Sequence, residues 1–141
     1  MQRALVTHPT SIDVPPGRKP YIDELGDGNT GLMVPPGCAL HYALHGGEQH
    51  VSCAFGMMPR RYVYGPVGGL RVIVTLAGAD GCPRVVYERV LDPMASVDDR
   101  EAQDLELALP AHTAADLCLR MMPTGAAIRS GWGYWTRLTV E

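Results

Sequence analysis

Apolar and polar residues alternate in short runs along most of this chain, and glycine and proline cut one run from the next. The clearest run is 70–77 (LRVIVTLA), dense in β-branched residues and bounded by Gly69 and Gly78. Branched side chains fit a pleated surface, so it reads as a strand. Residues 38–44 (CALHYAL) place Cys38, Leu40, Tyr42 and Leu44 on one face and His41 and His45 on the other. Residues 49–56 put Val51, Cys53 and Phe55 on one side, and the intervening His45-Gly46-Gly47-Glu48 is a hairpin signal. Further strands are predicted at 2–7, 32–34, 84–91, 104–109 with Leu105, Leu107 and Leu109 inward, 116–121 with Leu117, Leu119 and Met121 inward, and 133–140. A short helical turn fits within 94–104. A helix over 112–119 is the alternative to the strand there, but the alternation favours the strand.

About eight short strands with no sustained 3.6-residue period predict an all-β protein. The expected architecture is an antiparallel β-sandwich in jelly-roll order, one domain spanning 1–141. Residues 8–31 are polar and rich in turn formers, and are expected to form an irregular loop or arm. Ile12, Val14, Tyr21, Ile22 and Leu25 should pin parts of it down.

Composition supports this picture. The 12 prolines and 16 glycines are spread over all 141 residues, and that spacing suits strands and turns better than long helices. A net charge of −3, with no lysine or arginine block, removes the electrostatic footprint of a nucleic-acid binder. No apolar stretch approaches the ~18 residues of a membrane span. Residues 1–10 lack the apolar core of a signal peptide. A periplasmic or cell-surface location would therefore require an upstream signal that has been removed. The four cysteines, Cys38, Cys53, Cys82 and Cys118, contain no C-x-x-C pair, so a zinc ribbon or thioredoxin-type motif is excluded on spacing. Cys38, Cys53 and Cys118 lie in apolar runs and are expected to be buried thiols, with a disulfide across neighbouring strands as the alternative.

Candidate chemistry is sparse. His41, His45 and His50 form the one histidine cluster, and a hairpin would bring two or three imidazoles within reach of zinc or copper. The simpler reading is three polar residues on the solvent side of a hairpin, and no metal or other cofactor is expected. Ser130 lacks a G-x-S-x-G elbow, and Ser52 lies inside a strand. A Cys53–His41 pair would need a reactive thiol where core thiols are inert. The chain is therefore read as no enzyme. Asp92, Asp98, Asp99, Glu101 and Asp104 form an acidic stretch, but the EF-hand order is absent and Arg100 interrupts it, so a solvated loop is expected.

The most informative segment is Trp132-Gly133-Tyr134-Trp135, which contains both tryptophans. At a period of two, Trp132 and Tyr134 share one face and Trp135 takes the other. Exposed aromatic rings are flat apolar plates on which the C–H faces of sugars stack. The alternative is that both faces are covered.

Several motifs together resemble a known group. They are Arg3-Ala4-Leu5 in the opening strand, Val34-Pro35-Pro36-Gly37 leading into CALHYAL, then LRVIVTL and VVYERVLDP. DLELALP follows, then DLCLRMMP, and the chain closes on Gly131-Trp132-Gly133-Tyr134-Trp135 before RLTV. Over residues 1–7 and 32–141 the chain resembles the jelly-roll, galactose-binding-like or carbohydrate-binding-module-like domains that accompany bacterial sulfatases, glycosyltransferases and cell-surface proteins. Two features depart from that pattern: the length of 8–31, and MMPRRYVYGPVGG in place of a polar loop. The resemblance implies a β-sandwich that binds or spaces and does no chemistry, and it assigns no ligand residue.

The leading functional expectation is a non-catalytic binding or docking module, for a glycan or a protein, acting beside a catalytic or membrane partner. Arg60, Arg61, Tyr62, Tyr64, Trp132 and Tyr134 are the expected contacts, with arginine forks for hydroxyls or carboxylates and aromatic rings for stacking. A second expectation is a structural accessory subunit of a larger complex, using the same Met-, Tyr- and Arg-rich segment as an interface. A third is a metal-binding protein or metal-dependent enzyme built on His41, His45 and His50.

Overall fold

The computed structural model describes residues 3–4, 11–14, 19–24, 30–35, 37–57, 69–93, 95–124 and 133–141. Among these, eleven strands form two antiparallel sheets: β1 (Arg3–Ala4), β2 (Ser11–Asp13), β3 (Tyr21–Glu24), β4 (Thr30–Val34), β5 (Ala39–Leu44), β6 (His50–Met57), β7 (Leu70–Ala77), β8 (Pro83–Leu91), β9 (Gln103–Ala108), β10 (Ala115–Pro123) and β11 (Gly133–Val140). One sheet runs β3-β4-β11-β6-β9, with β1 also pairing β11, and the other runs β2-β5-β10-β7-β8. A turn of 3-10 helix, Val97–Arg100, lies within the segment where a helical turn was predicted. Residues 115–123 form a strand, as the alternation of leucines indicated.

The core is the set of inward positions the period-two pattern selects, except in β11, where a bulge at Arg137 (φ 54°) carries the inward face from Trp135 to Leu138. Leu40, Tyr42 and Leu44 of β5, Val72 and Val74 of β7, and Leu117, Leu119 and Met121 of β10 face Val51, Phe55 and Met57 of β6 and Trp135 and Leu138 of β11. Phe55 joins the layers: its ring centroid is 5.5 Å from Trp135 in its own sheet and 6.0 Å from Tyr87 in the other. Both pairs have the tilted or edge-on geometry that aromatic quadrupoles favour.

Two expectations are corrected. The eight strands become eleven, partly because the 8–31 excursion contains β2 and β3. Each of these short strands adds to the edge of a different sheet, β2 on β5 and β3 on β4. Both are exposed at every position, so neither carries the alternation that marks a half-buried strand. The predicted β5–β6 hairpin does not form. β5 pairs with β2 and β10, whereas β6 pairs with β11 and β9, so residues 45–49 cross from one sheet to the other. Gly46 (φ 104°) and Gly47 (φ 86°) supply the left-handed backbone this crossover needs. A Gly-Gly signal reports that the chain can turn, and leaves open which sheet receives the next strand.

Candidate functional site

Each end of the sandwich has its own set of connections. At one end, Gly133 of β11 pairs with Met57 of β6, and Pro123 of β10 pairs with Leu70 of β7. These strand ends are packed tightly. A Cβ on Gly69 would lie 2.6 Å from the Leu91 carbonyl oxygen and 2.8 Å from Thr124 Oγ1, and one on Gly133 would collide with the Met121 sulfur. The Thr124 amide donates to the Gly69 carbonyl (3.1 Å), and the Gly37 amide to that of Met121 (2.7 Å). The connections 58–68 and 125–132 therefore leave from strand ends that touch.

The expected contacts Arg60, Arg61, Tyr62, Tyr64 and Trp132 lie outside the described residues. So do Leu25 and Ser130. Tyr134 is described. It faces outward from the six-stranded sheet at 7% exposure, with its ring over Gly56, where an added Cβ would meet the phenol oxygen at 2.7 Å. Trp135, on the opposite face, is in the core. Its indole N–H is the one buried side-chain donor without a partner among the described residues.

The histidine cluster is dispersed. His41 projects from the outer face of the five-stranded sheet, His50 from the outer face of the other, and His45 sits in the crossover between them. His41 Nδ1 lies 2.8 Å from Asp116 Oδ2, and Nε2 lies 2.9 Å from Asp13 Oδ2. Carboxylates only accept, so the ring donates from both nitrogens. Burial opposes its charge, but the hydrogen bonds and charges of Asp116 and Asp13 outweigh burial and raise its pKa above the ordinary value. His50 Nε2 pairs with Glu106 at 3.0 Å. Among the described residues no three His, Cys, Asp or Glu side chains converge to hold a metal. The hairpin on which the metal expectation rested is not formed.

The acidic stretch is likewise distributed among structural tasks. Asp99 pairs with Arg89 at 3.2 Å and accepts the Asp92 amide at 2.9 Å, and Asp104 pairs with Arg137 at 3.1 Å. All four cysteines are free, with Cys38, Cys53 and Cys118 buried and Cys82 exposed. Burial, the largest cause, raises the Cys38 thiol to about 11 and the Cys53 thiol to about 12, so both stay protonated and unreactive at neutral pH.

The opposite end holds a feature that residue patterns did not reveal, a cleft of about 570 Å³ between the β7–β8 turn and the β9–β10 loop. Leu76, Val86 and Pro110 supply apolar wall, and Asp80, Arg84 and His112 supply polar groups. His112 Nδ1 lies 2.8 Å from the Pro110 carbonyl oxygen and Nε2 lies 3.2 Å from Glu48 Oε1. Glu48 also accepts the His45 and Gly46 amides, each at 2.8 Å. Burial opposes its charge, but these amides, its own amide and the His112 ring win and hold the carboxyl at about 2. One carboxylate therefore ties the sheet-to-sheet crossover to a wall of the cleft. The residues involved come from three separate segments, the 45–49 crossover, the β7–β8 hairpin and the β9–β10 loop, which is why no local motif announced them.

No family model and no curated protein matches the chain. Solved structures do. One is CBM51 from Clostridium perfringens GH95 in complex with methyl-galactose, which is 14% identical with a TM-score of 0.67 over all of both chains. Another is the structure of CBM51-2 and INT domains of Clostridium perfringens ZmpB in complex with GlcNAc. It is 12% identical with a TM-score of 0.69, and the match covers 99% of this chain and 31% of that one. A third is the CBM22-1 xylan-binding domain of Paenibacillus barcinonensis Xyn10C, 10% identical with a TM-score of 0.58 over 100% of this chain and 92% of that one. At these identities the likeness is one of fold: the chain has the jelly-roll sandwich of carbohydrate-binding modules.

Proposed function

We propose that this chain is a non-catalytic glycan-binding module, working beside a catalytic or membrane-associated partner. One observation carries the reading. Met57, Leu70, Pro123 and Gly133 meet at one end of the sandwich, so the Arg60-Arg61-Tyr62-Val63-Tyr64 stretch and Trp132 belong to connections with adjacent roots. Aromatic rings and guanidinium forks on neighbouring connections are a combination suited to sugars: plates for C–H faces and paired donors for hydroxyls. The shared fold of modules solved with methyl-galactose and GlcNAc supports the same reading. Buried, protonated Cys38 and Cys53, and a His41 engaged at both ring nitrogens, offer no activated nucleophile or free base among them.

A glycan array probed with the wild-type chain and with Trp132→Ala tests this. Binding to at least one glycan is expected, with roughly ten-fold or greater weakening in the variant, the scale of losing one stacked ring in a buried contact. A folded wild-type chain that binds no glycan sinks the proposal.

The accessory-subunit reading has one observation in its favour. Ile12 of β2 and Ile22 of β3, with Val14 beside β2, are 38%, 58% and 44% exposed. Apolar side chains on open sheet edges suit a protein partner. Size-exclusion chromatography decides it, since a monodisperse monomer across the micromolar range argues against obligate assembly.

A further inference from the structure

The cleft at the end away from Met57 and Gly133 is built like a binding site, and the glycan reading does not use it. Its volume, about 570 Å³, falls among small-molecule sites, which run roughly 300–1,000 Å³. Its apolar floor is continuous with the core, for Leu76 is buried and Val86 packs against the core cluster.

Both walls are held by hydrogen bonds of their own. On one side the Gly81 amide donates to Gly78 (3.0 Å), and Asp80 Oδ1 accepts the Cys82 amide (3.1 Å). On the other, the Leu109 amide donates to Gln49 (2.8 Å), while His112 is held by Pro110 and Glu48 at 5% side-chain exposure. With both nitrogens engaged and its side chain nearly buried, His112 braces this wall of the cleft. The rim is made of small residues. A Cβ on Gly78 would meet nothing within 4 Å, so packing does not demand glycine there, and Ala79 and Ala111 lie beside it.

Two charged lining groups remain open among the described residues. Arg84 has no ion-pair partner, and Asp80 has one carboxylate oxygen uncommitted. A guanidinium fork matches a carboxylate in two parallel hydrogen bonds. A carboxylate such as Asp80 accepts from hydroxyls. The apolar floor suits the C–H face of a saturated ring. We propose that this cleft is a second ligand site, taking a carboxylate-bearing sugar residue with its acid group on Arg84 and a hydroxyl on Asp80. The proposal takes from the glycan reading only that the ligand is a saccharide, and it places that ligand at the other end of the molecule.

The test is an amide chemical-shift titration of the 141-residue chain with glucuronate, galacturonate and N-acetylneuraminate, with methyl-galactoside as the neutral probe. The expected result is that at least one acid moves the amides of residues 76–86 and 111–113, while the neutral sugar binds there about ten-fold more weakly, the scale of one charge-assisted hydrogen bond. Arg84→Gln should remove that preference. Ala111→Trp, at an exposed rim position, should abolish the cleft shifts while the unfolding midpoint stays in place. Equal shifts from acid and neutral sugars, or acid-induced cleft shifts that survive Ala111→Trp, overturn the proposal. Shifts confined to residues around 57, 69–70, 124 and 133 overturn this site and leave the glycan reading standing. Cleft shifts together with an empty glycan array uphold this site and count against that reading. No shift from any saccharide overturns the second site outright.

Discussion

At the scale of single residues, the closest tolerances lie at glycines whose missing side chains make room for a neighbour. Gly69 and Gly133 differ in what stands in the way. A Cβ on Gly69 meets the Leu91 backbone carbonyl at 2.6 Å, and one on Gly133 meets the flexible end of Met121. Backbone in a paired strand cannot yield, whereas a methionine side chain can change rotamer. Gly69→Ala should therefore cost about 1–3 kcal/mol and Gly133→Ala less, read from urea midpoints at a constant slope. Equal costs would contradict the packing at these strand ends. Sequence pattern marked Gly69 only as a strand boundary, because the carbonyl that crowds it comes from Leu91, 22 positions along the chain.

At the scale of elements, two carboxylate–histidine links set how stability changes with pH. His41 joins β2 and β10 to β5 through Asp13 and Asp116. Among the described residues, Arg120 and Cys118 of β10 are the other titratable or charged groups on that part of the outer face. Its pKa is raised on folding, so the stabilisation is complete below its unfolded value of about 6.5 and is lost as pH rises through the folded value. Amide exchange in β2 should accelerate across that upper window, and His41→Gln should remove the pH dependence. A flat β2 exchange profile after correction for intrinsic rates refutes the link. Glu48 runs the other way. Its pKa is lowered to about 2, so its contribution is present above the ordinary carboxylate value of 4.5 and is lost as pH falls toward 2. Glu48→Ala should destabilise the fold by about 1–3 kcal/mol at pH 7, because the amides of His45 and Gly46 lose their acceptor. The difference from wild type should shrink toward pH 2 in acid-unfolding curves. Neither link was legible in the chain, since each joins residues 28 to 75 positions apart.

At the scale of the whole molecule, stability comes from one core between two sheets with no covalent staple. All four cysteines are free, so the melting temperature should be the same with and without reductant. A thiol assay on the native protein should titrate Cys82 rapidly and the other three only on unfolding. A reductant-sensitive midpoint would mean that a disulfide forms where the structure has thiols. The two ends of the sandwich are chemically distinct. One carries the roots of the arginine- and tryptophan-bearing connections, and the other carries the Arg84–Asp80–His112 cleft. Variants at Trp132 and Arg84 should therefore act additively, since nothing described links the two ends beyond the shared core.

The sequence by itself determined the sandwich, because a half-buried strand must alternate with period two and this chain does so between turn residues. The strands 70–77 and 103–108 follow that pattern closely, whereas bulges shift the register where β8 pairs β7 and where β11 pairs β6. The inward leucines and the buried thiols lie where the apolar runs indicated. Tertiary structure alone decided which strands became neighbours. Alternation specifies a face, and glycine specifies a turn, but neither specifies which free edge the next strand will find. For that reason β2 and β3 stayed hidden in an exposed excursion, the 45–49 turn became a crossover instead of a hairpin, and the histidines grouped along the chain separated in space. The cleft came from the same cause: Glu48, Asp80, Arg84 and His112 become neighbours only once both sheets have closed on their core.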